Sequence, residues 1–385
     1  FNLYKSLTVQ AISKKNHASI INMMKIINEL NFLNSKNEVR NINYKSIQEL
    51  LQICKKKGVI PFAICARHAF IAKTIMNSLV SKNIIKKIDL EKFLKSVKTV
   101  ATELLTDMNN VFLGKFTREK FMLRYGHLRP NTYDITSKRY DEYKNFKFTK
   151  QKKISNNKFK FSKTTHKKIN YLLDKSKIKS FNSKDLIDYF EQSIISREYS
   201  KFVFTKTVSN ILQKIILIGK KHKISREDLA YIHLNDLQKN KRDILKCIKK
   251  NKSQYNLDRN IKLPEVIYDL SAVDVIPYQV NRPNFISNKK ITSNFVSLKK
   301  QIKDFNLKNN IALIENADPG YDWIFSRGVS GLITKYGGIN SHMSIRCAEL
   351  NIPAAIGCGE KQFNELKKGK KILLDCKAQK IITLK

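Results

Sequence analysis

The strongest structural signal in the chain is residues 336–357, YGGINSHMSIRCAELNIPAAIG. A Gly-Gly turn and two small polar residues, Asn340 and Ser341, precede His342. The apolar spacing that follows predicts a helix up to Leu350, and the run after it predicts a short buried strand. His342 is therefore expected at the N-terminus of a helix that lies between two strands.

A helix N-terminus favours an anion, because its first backbone N–H groups are unpaired and its dipole is positive there. Gly337, Gly338, Asn340 and Ser341 would add an amide-rich cradle beside it. A neutral imidazole can act as a nucleophile, and its phosphorylated form is held by surrounding N–H donors. The sequence thus predicts that His342 carries a phosphoryl group. A histidine of the core or of a helix cap is the structural alternative.

Short strands and helices alternate through residues 309–385, which predicts a compact α/β domain around this histidine. Strands are expected at 311–315, 331–334, 354–356, 371–374 and 380–384, and helices at 323–326 and near 362–366. The fold class is therefore a mostly α-helical domain followed by a small α/β domain. Residues 262–308, with prolines at 264, 277 and 283, are expected to be the linker between them.

Residues 1–261 show apolar residues at helical spacing and are predicted to form the helical domain, which would bind a substrate. Within it, residues 145–180 are rich in lysine and poor in apolar spacing, as in a mobile or exposed excursion. Arg197, Glu198 and Lys201 begin a predicted long helix, and we expect a solvated helix start there.

A break in the helical pattern at Gly126 and Pro130 predicts a loop with polar and aromatic side chains. Because loops on a rigid scaffold often carry binding groups, five residues are candidates for substrate binding. They are Arg124, His127, Arg129, Tyr133 and Asp134. An ordinary connection between two helices explains the same composition.

The formal net charge of +42, from 74 Lys and Arg against 32 Asp and Glu, raises nucleic acid or an anionic membrane surface as a partner. The lysines are spread along the chain, however, and Asn and Ile are also abundant, as A/T-rich coding would produce. Base-stacking aromatics interleaved with Arg are not evident. Nucleic acid is therefore not expected, and binding to it or to an anionic surface is kept as the alternative function.

The six cysteines form no C-x-x-C pair, and the seven histidines show no zinc-ligand spacing, so reduced thiols and no metal site are expected. No uninterrupted apolar run of about 18 residues suggests a membrane span, and residues 1–19 lack a signal-peptide core. We expect a soluble cytoplasmic protein without a membrane partner.

The histidine segment resembles the phosphohistidine swivelling domain of phosphoenolpyruvate synthase, pyruvate phosphate dikinase and rifampicin phosphotransferase, whose motif is G-G-x-x-S-H followed by a helix and G-I-P-A. The matching positions are Gly337, Gly338, Ser341, His342, Ile345, Glu349, Ile352, Pro353 and Ala354. By this resemblance the phosphorylated histidine is His342. The arginine of the family's A-R-E motif has its counterpart two residues earlier, at Arg346, which by this resemblance would join the phosphate cradle from a helix face turned by about 200°.

Other stretches resemble phosphoenolpyruvate-synthase-like proteins of capsule and surface-polysaccharide loci, which include an L-glutamine kinase. They are Pro61–Ala72, Arg124–Ile135, Ser225–Tyr231, Asn281–Ile286 and Ile314–Phe325. The resemblance implies a dikinase-type phosphotransferase, in which an ATP-grasp domain with Mg²⁺ and ATP loads the histidine and releases AMP and phosphate. The loaded domain then swings to a small-molecule acceptor on the helical domain, and the glutamine side-chain amide is one such acceptor.

No ATP-grasp domain or glycine-rich phosphate loop is evident in these 385 residues, which begin at Phe1. We therefore expect an ATP-grasp partner, on a separate chain or a preceding segment, to bind the Mg²⁺ and ATP. By family position, the three basic residues of the 124–135 loop would stabilise the transferring group, while Tyr133 and Asp134 would grip the acceptor. A non-catalytic phosphocarrier is a third interpretation.

Overall fold

The protein has a helical region up to residue 258 and a mixed β-sheet from residue 284 onward. The computed structural model describes residues 6, 8–10, 12, 17–36, 43–144, 146–148, 158–258, 282–298 and 307–384. The predicted order, a helical region followed by a small α/β unit, is confirmed at this level.

The helices of the first region pack around two hydrophobic clusters. They are α1 (His17–Lys36), α2 (Tyr44–Ile53), α3 (Ile60–Ser81), α4 (Lys87–Ser96), α5 (Val100–Phe112), α6 (Arg118–Tyr125), α7 (Lys163–Lys175), α8 (Ser183–Lys221), α9 (Arg226–Leu229) and α10 (Lys241–Asp258). A π-helical turn, Cys54–Val59, joins α2 to α3 without a break.

The helix α8 is 39 residues long and passes through both clusters. The side chain of Asn182 accepts hydrogen bonds from two backbone N–H groups of the first turn of α8, and the Asp185 carboxylate accepts one from the N–H of Asn182. Residues 197–201 therefore lie in the middle of a helix, and the expected helix start there is wrong. The physical reason is that no glycine or proline interrupts the helical pattern between residues 183 and 218.

The lysine-rich stretch is partly ordered. α7 is capped by Ser162, whose hydroxyl accepts from the N–H of Thr165, and it buries Ile169 beside Phe161 in one of the clusters. The expected mobile excursion is therefore wrong for residues 158–180, because a few apolar side chains suffice to dock a lysine-rich helix. Residues 145 and 149–157 lie outside the described part.

Two helical runs, Tyr44–Ser81 and Ser183–Lys221, have the length and hydropathy of a membrane span. In the structure α3 packs along α8 within the helical region. Buried core helices have the same length and hydropathy, so this feature alone does not indicate a membrane protein.

The second region is a seven-stranded sheet in the order β1-β5-β4-β3-β2-β6-β7. The strands are β1 (Asn284–Ile286), β2 (Lys290–Ser297), β3 (Ile311–Asn316), β4 (Gly331–Tyr336), β5 (Ala354–Ile356), β6 (Lys371–Asp375) and β7 (Lys380–Leu384). β5, β4, β3 and β2 run parallel, whereas β1, β6 and β7 pair antiparallel at the two edges. The five strands predicted from residue 311 onward are each present.

Helices cover both faces of the parallel strands. They are α11 (Trp323–Ser326), α12 (His342–Leu350) and α13 (Gly359–Leu366), with a 3₁₀ turn at Pro319–Tyr321 before α11. α11 and α12 pack on one face in a cluster shared with the helical region, and α13 packs on the other. The strands β3 and β4 are thus buried on both sides, as their continuous apolar runs require.

The predicted linker, residues 262–308, is wrong for residues 284–297, which form β1 and β2 of the sheet. β2 reads KITSNFVS, with three polar residues in a row at 292–294, so neither an apolar run nor a regular alternation marks it as a strand. Pairing with β3 and β6 still holds it in the sheet. Residues 262–281 and 299–306 lie outside the described part of the chain.

Candidate active site

His342 is the first residue of α12, as the sequence predicts. The Ser341 hydroxyl caps this helix by accepting from the N–H of Ser344. Gly337 has a φ of +134°, and a side-chain carbon there would lie 2.8 Å from the Cβ of Ala317. A glycine is therefore required where the chain leaves β4 and turns toward the histidine.

Two carboxylates hold the imidazole of His342, which is 5% exposed. Its Nε2 lies 2.8 and 2.9 Å from the two oxygens of Asp322, and its Nδ1 lies 3.2 Å from Oε2 of Glu198. Since a carboxylate only accepts hydrogen bonds, both ring nitrogens donate and the ring is an imidazolium. We call Glu198, His342 and Asp322 the clamp.

The electrostatics of the clamp agree with a charged ring. Burial alone would lower the pKa of His342, but the charges and hydrogen bonds of Asp322 and Glu198 outweigh it and raise the pKa to about 9. Burial would raise the pKa of Glu198, and the hydrogen bond and charge of His342 lower it to about 2. At neutral pH the clamp is therefore one cation between two anions.

An imidazolium has no free lone pair, so His342 cannot attack phosphorus in this arrangement. It becomes a nucleophile when one nitrogen loses its proton and its carboxylate partner. Glu198 belongs to α8 of the helical region, whereas Asp322 belongs to the same region as the histidine. Separation of the two regions would thus remove Glu198 and leave Asp322 in place.

Arg346, predicted to cradle phosphate, lies on the Asp322 side of the ring. It is fully buried, donates from Nη1 to the carboxylate of Glu349, and places Nε 3.9 Å from Oδ1 of Asp322. Its guanidinium also lies over the ring of Phe325. In this arrangement Arg346 supports Asp322 electrostatically, and its place in the phosphate cradle stays a prediction.

The helical region packs closely against the turn before α11. A side-chain carbon on Gly320 would lie 1.4 Å from the carbonyl oxygen of Arg129, and the Tyr140 hydroxyl donates to the carbonyl of Gly320 at 2.8 Å. The loop that carries Arg129 therefore forms a docking surface for the C-terminal region, which the sequence did not indicate.

Three of the five residues predicted to bind substrate in the 124–135 loop make other contacts. Arg124 is half exposed and pairs with Glu103 and Asp107. His127 is buried edge-on against the ring of Phe202.

Arg129 is 1% exposed and ties the loop to α8. It donates to the carbonyls of Asp134 and Ser137 and to the carbonyl and hydroxyl of Ser209. With its donors directed at the loop and α8, this arginine has a structural role.

Tyr133 and Asp134, the other two predicted residues, line a cleft of about 940 Å³ between the two regions. His342 and the cradle residues Gly337, Asn340 and Ser341 line it as well. One part of the remaining wall is charged and is formed by Arg197, Lys201, Glu315 and Asp318. Another part is apolar and is formed by Leu212, Ile215, Leu229, Ile232 and Leu234. The cleft is the space in which a small molecule can meet His342.

Sequence reasoning missed or set aside three residues of this site, which are Glu198, Asp322 and Lys201. Glu198 and Lys201 were expected in a solvated helix start, and Asp322 was only part of a matching stretch. Glu198 is 144 residues from His342, so no local pattern could pair them.

No group of three His, Cys, Asp or Glu side chains that could hold a metal ion is present in the described ranges.

Comparison with known proteins gives two similarities. Residues 306–379 match the model of the family "PEP-utilising enzyme, mobile domain". A rifampicin phosphotransferase of Bacillus cereus is 26% identical over 204 residues, which are 50% of this chain and 23% of that protein. The chain thus spans about a quarter of that relative's length. The two similarities together support the superfamily of PEP-utilising enzymes, and residues 306–379 are similar to its mobile domain.

Proposed function

We propose that this protein is a phosphotransferase in which His342 carries a phosphoryl group from an ATP-grasp domain to a small-molecule acceptor in the cleft. The main support is the position of His342 at a helix N-terminus, on the wall of a cleft between a helical region and a domain similar to a mobile domain.

The donor in this proposal is an ATP-grasp partner that binds Mg²⁺ and ATP and releases AMP and phosphate. Loading requires an unprotonated ring nitrogen, so the clamp must open first and His342 must give one proton to solvent. The C-terminal region then swings between donor and acceptor, because one histidine has to visit two sites.

The acceptor reaction is a transfer with one bond broken and one formed. The bond between phosphorus and the ring nitrogen breaks, a bond from phosphorus to an acceptor atom forms, and overall the acceptor's proton ends on the imidazole. Tyr133 and Asp134 would hold the acceptor, for which we propose the side-chain amide of L-glutamine in surface-polysaccharide modification. Such chemistry belongs in the cytoplasm, where ATP is available.

The net charge of +42 favours a second candidate, binding to nucleic acid or another anionic surface. It predicts binding to mixed-sequence RNA that weakens as salt is added. No binding at low salt in a filter assay would exclude it.

The chain should be incubated with a purified ATP-grasp partner and ATP labelled in its β and γ phosphoryl groups. We expect acid-labile, alkali-stable label on the native chain and none on His342→Ala. The exposed His233 supplies the control, and His233→Ala should label normally. Label that persists on His342→Ala contradicts the proposal. Labelling without transfer to any acceptor supports the non-catalytic phosphocarrier.

A further inference from the structure

The cleft beside His342 changes character along its length. The loop residues that directly precede the histidine form a polar end. Leu212 of α8 lines another part of the wall, together with Ile232 and Leu234, which follow α9 in the chain. The cleft therefore has a polar end at the reactive ring and an apolar part away from it.

The periodicity of α8 sets the distance between the two parts. Glu198 contacts the ring of His342 at 3.2 Å, and Leu212 follows Glu198 by 14 residues on the same helix. Fourteen residues make nearly four turns, so Leu212 lies on almost the same helix face, about 21 Å farther along the axis. A ligand that fills the cleft therefore extends well beyond a group bound at the ring.

The size of the cleft also favours a ligand larger than a free amino acid. Its volume of about 940 Å³ lies near the upper end of the range of about 300–1,000 Å³ for pockets that bury drug-sized ligands. Free glutamine at the ring would fill only the polar end and would leave the apolar part in contact with water. Exposed apolar surface of this kind is typical of a ligand-binding groove.

The apolar surface is exposed at the cleft wall but rests on a packed core. Tyr133 is 58% exposed, Leu234 is 38% exposed, and Tyr336 at the end of β4 is 48% exposed. Behind them, Ile215 and Leu229 are buried in a hydrophobic cluster of the helical region. Because core side chains are closely packed, this part of the wall is formed before any ligand binds.

We propose that Leu212, Ile232 and Leu234 form a subsite that binds an apolar part of the phosphoryl acceptor. The acceptor is then an elongated amphipathic molecule, with its nucleophilic group at His342 and its apolar part along α8. A glutamine amide would belong to a larger molecule that carries an acyl chain or a similar group. This inference rests on the proposed function and deepens it.

A series of N-acyl-L-glutamines tests the subsite by binding alone. The acetyl, butanoyl, hexanoyl and octanoyl compounds are titrated into the full-length chain by isothermal titration calorimetry, at concentrations below micelle formation. We expect the affinity to rise by up to about fourfold for each added methylene group, and by about 30-fold or more from butanoyl to octanoyl. An affinity that does not rise with acyl length, or no binding at all, overturns the subsite.

A polar substitution places the acyl chain in the cleft. Leu234→Asn should weaken binding of the octanoyl compound by about 5- to 10-fold and leave binding of the acetyl compound unchanged. Leu245→Asn is the matched control, because Leu245 of α10 is 44% exposed, compared with 38% for Leu234, and does not line the cleft. Equal losses in the two variants would place the acyl chain elsewhere and overturn the subsite.

A larger side chain at the same position gives a second variant, which also serves if Leu234→Asn does not fold. The indole of Leu234→Trp would occupy the apolar part of the cleft. We therefore expect the affinity to stop rising at a shorter acyl chain than in the native protein, with binding of the acetyl compound unchanged. An affinity that rises to octanoyl as it does in the native chain would contradict the subsite.

The failure of the subsite and the failure of the proposed function give different results. If His342 is never labelled with an ATP-grasp partner, while the octanoyl compound binds tightly and Leu234→Asn weakens it, the proposed function fails and the subsite stands. If labelled His342 transfers its phosphoryl group no faster to the octanoyl than to the acetyl compound, at equal concentrations below saturation, the subsite fails and the proposed function stands.

Discussion

Glu198 of α8 and His342 of α12 make a contact of 3.2 Å between carboxylate and imidazole, across the boundary between the two regions of the protein. The glutamate also depends on the histidine, because the charge and hydrogen bond of His342 overcome the effect of burial on the carboxylate pKa. The docked arrangement is therefore sensitive to the protonation state of the same ring that would carry the phosphoryl group.

Replacement of Glu198 by Gln should lower the pKa of His342. The variant keeps the shape of the side chain but removes one of the two negative charges that oppose burial, so we expect a fall of at least about one unit from the value near 9. An NMR titration of the imidazole nitrogens measures it. Glu119→Gln, on the exposed face of α6, should leave the titration unchanged. An equal pKa in native and Glu198→Gln chains would mean that the contact does not form in solution.

The stability of the docked arrangement should depend on pH through the clamp. The pKa of His342 is raised from 6.5 to about 9, so its contribution is complete below about pH 6.5 and is lost as pH rises through 9. The pKa of Glu198 is lowered from 4.5 to about 2, so its contribution is present above about pH 4.5 and is lost as pH falls through 2. The histidine shift corresponds to about 3 kcal/mol.

The difference in unfolding free energy between the native chain and Glu198→Gln, measured by urea denaturation from pH 5 to 10, should therefore be largest between pH 5 and 6.5. It should fall toward zero above pH 9. A difference that does not change with pH would contradict an imidazolium in the clamp.

Gly320→Ala should prevent docking, because the added carbon would lie 1.4 Å from the carbonyl oxygen of Arg129. The released His342 should react with potassium phosphoramidate tenfold faster or more, as a loss of about 1.4 kcal/mol in docking free energy would produce. Gly114→Ala, in a turn of the helical region, is the control, since its added carbon would have no neighbour within 4 Å. Equal reaction rates in the two variants would show that the contact at Gly320 does not control access.

Arg129→Lys should destabilise the protein more than Arg124→Lys does. A lysine at 129 cannot reproduce the fork of donors that reaches Asp134, Ser137 and Ser209, and the buried carbonyls lose partners. We expect a loss of about 2–3 kcal/mol in unfolding free energy for Arg129→Lys. Arg124 makes half-exposed ion pairs, so Arg124→Lys should cost less than about 1 kcal/mol. Urea denaturation measures both, and equal losses would contradict the buried role of Arg129.

The parts of the fold that depend on local pattern were predictable. The apolar runs of β3, β4 and β5 indicate strands, and the glycine loop before His342 indicates a helix start. β1 and β2 were not predicted, because β1 has only three residues, close after Pro283, and β2 has three polar residues in a row at 292–294. Tertiary pairing, not local preference, places these two strands in the sheet.

The site shows the same division between local and long-range information. The histidine was found from its own segment, whereas the clamp also needs Asp322, 20 residues before it, and Glu198, 144 residues before it. The composition of the 124–135 loop cannot distinguish a guanidinium that ties down buried carbonyls from one that binds a ligand. Arg129 and Tyr133 were therefore equally plausible substrate-binding residues in the sequence, although Arg129 is buried and, of the two, only Tyr133 lines the cleft.

Because α8 is one unbroken helix, a small tilt about one end displaces the side chains along it, including Glu198. Glu198 lies 15 residues after the first residue of this helix, or about 22 Å along its axis. A tilt of 10° about that end would move the carboxylate by about 4 Å, more than the length of its hydrogen bond to His342. The interdomain contact therefore tolerates a tilt of only a few degrees, and the two apolar clusters that α8 joins, one on each side of Glu198 along the helix, hold that angle.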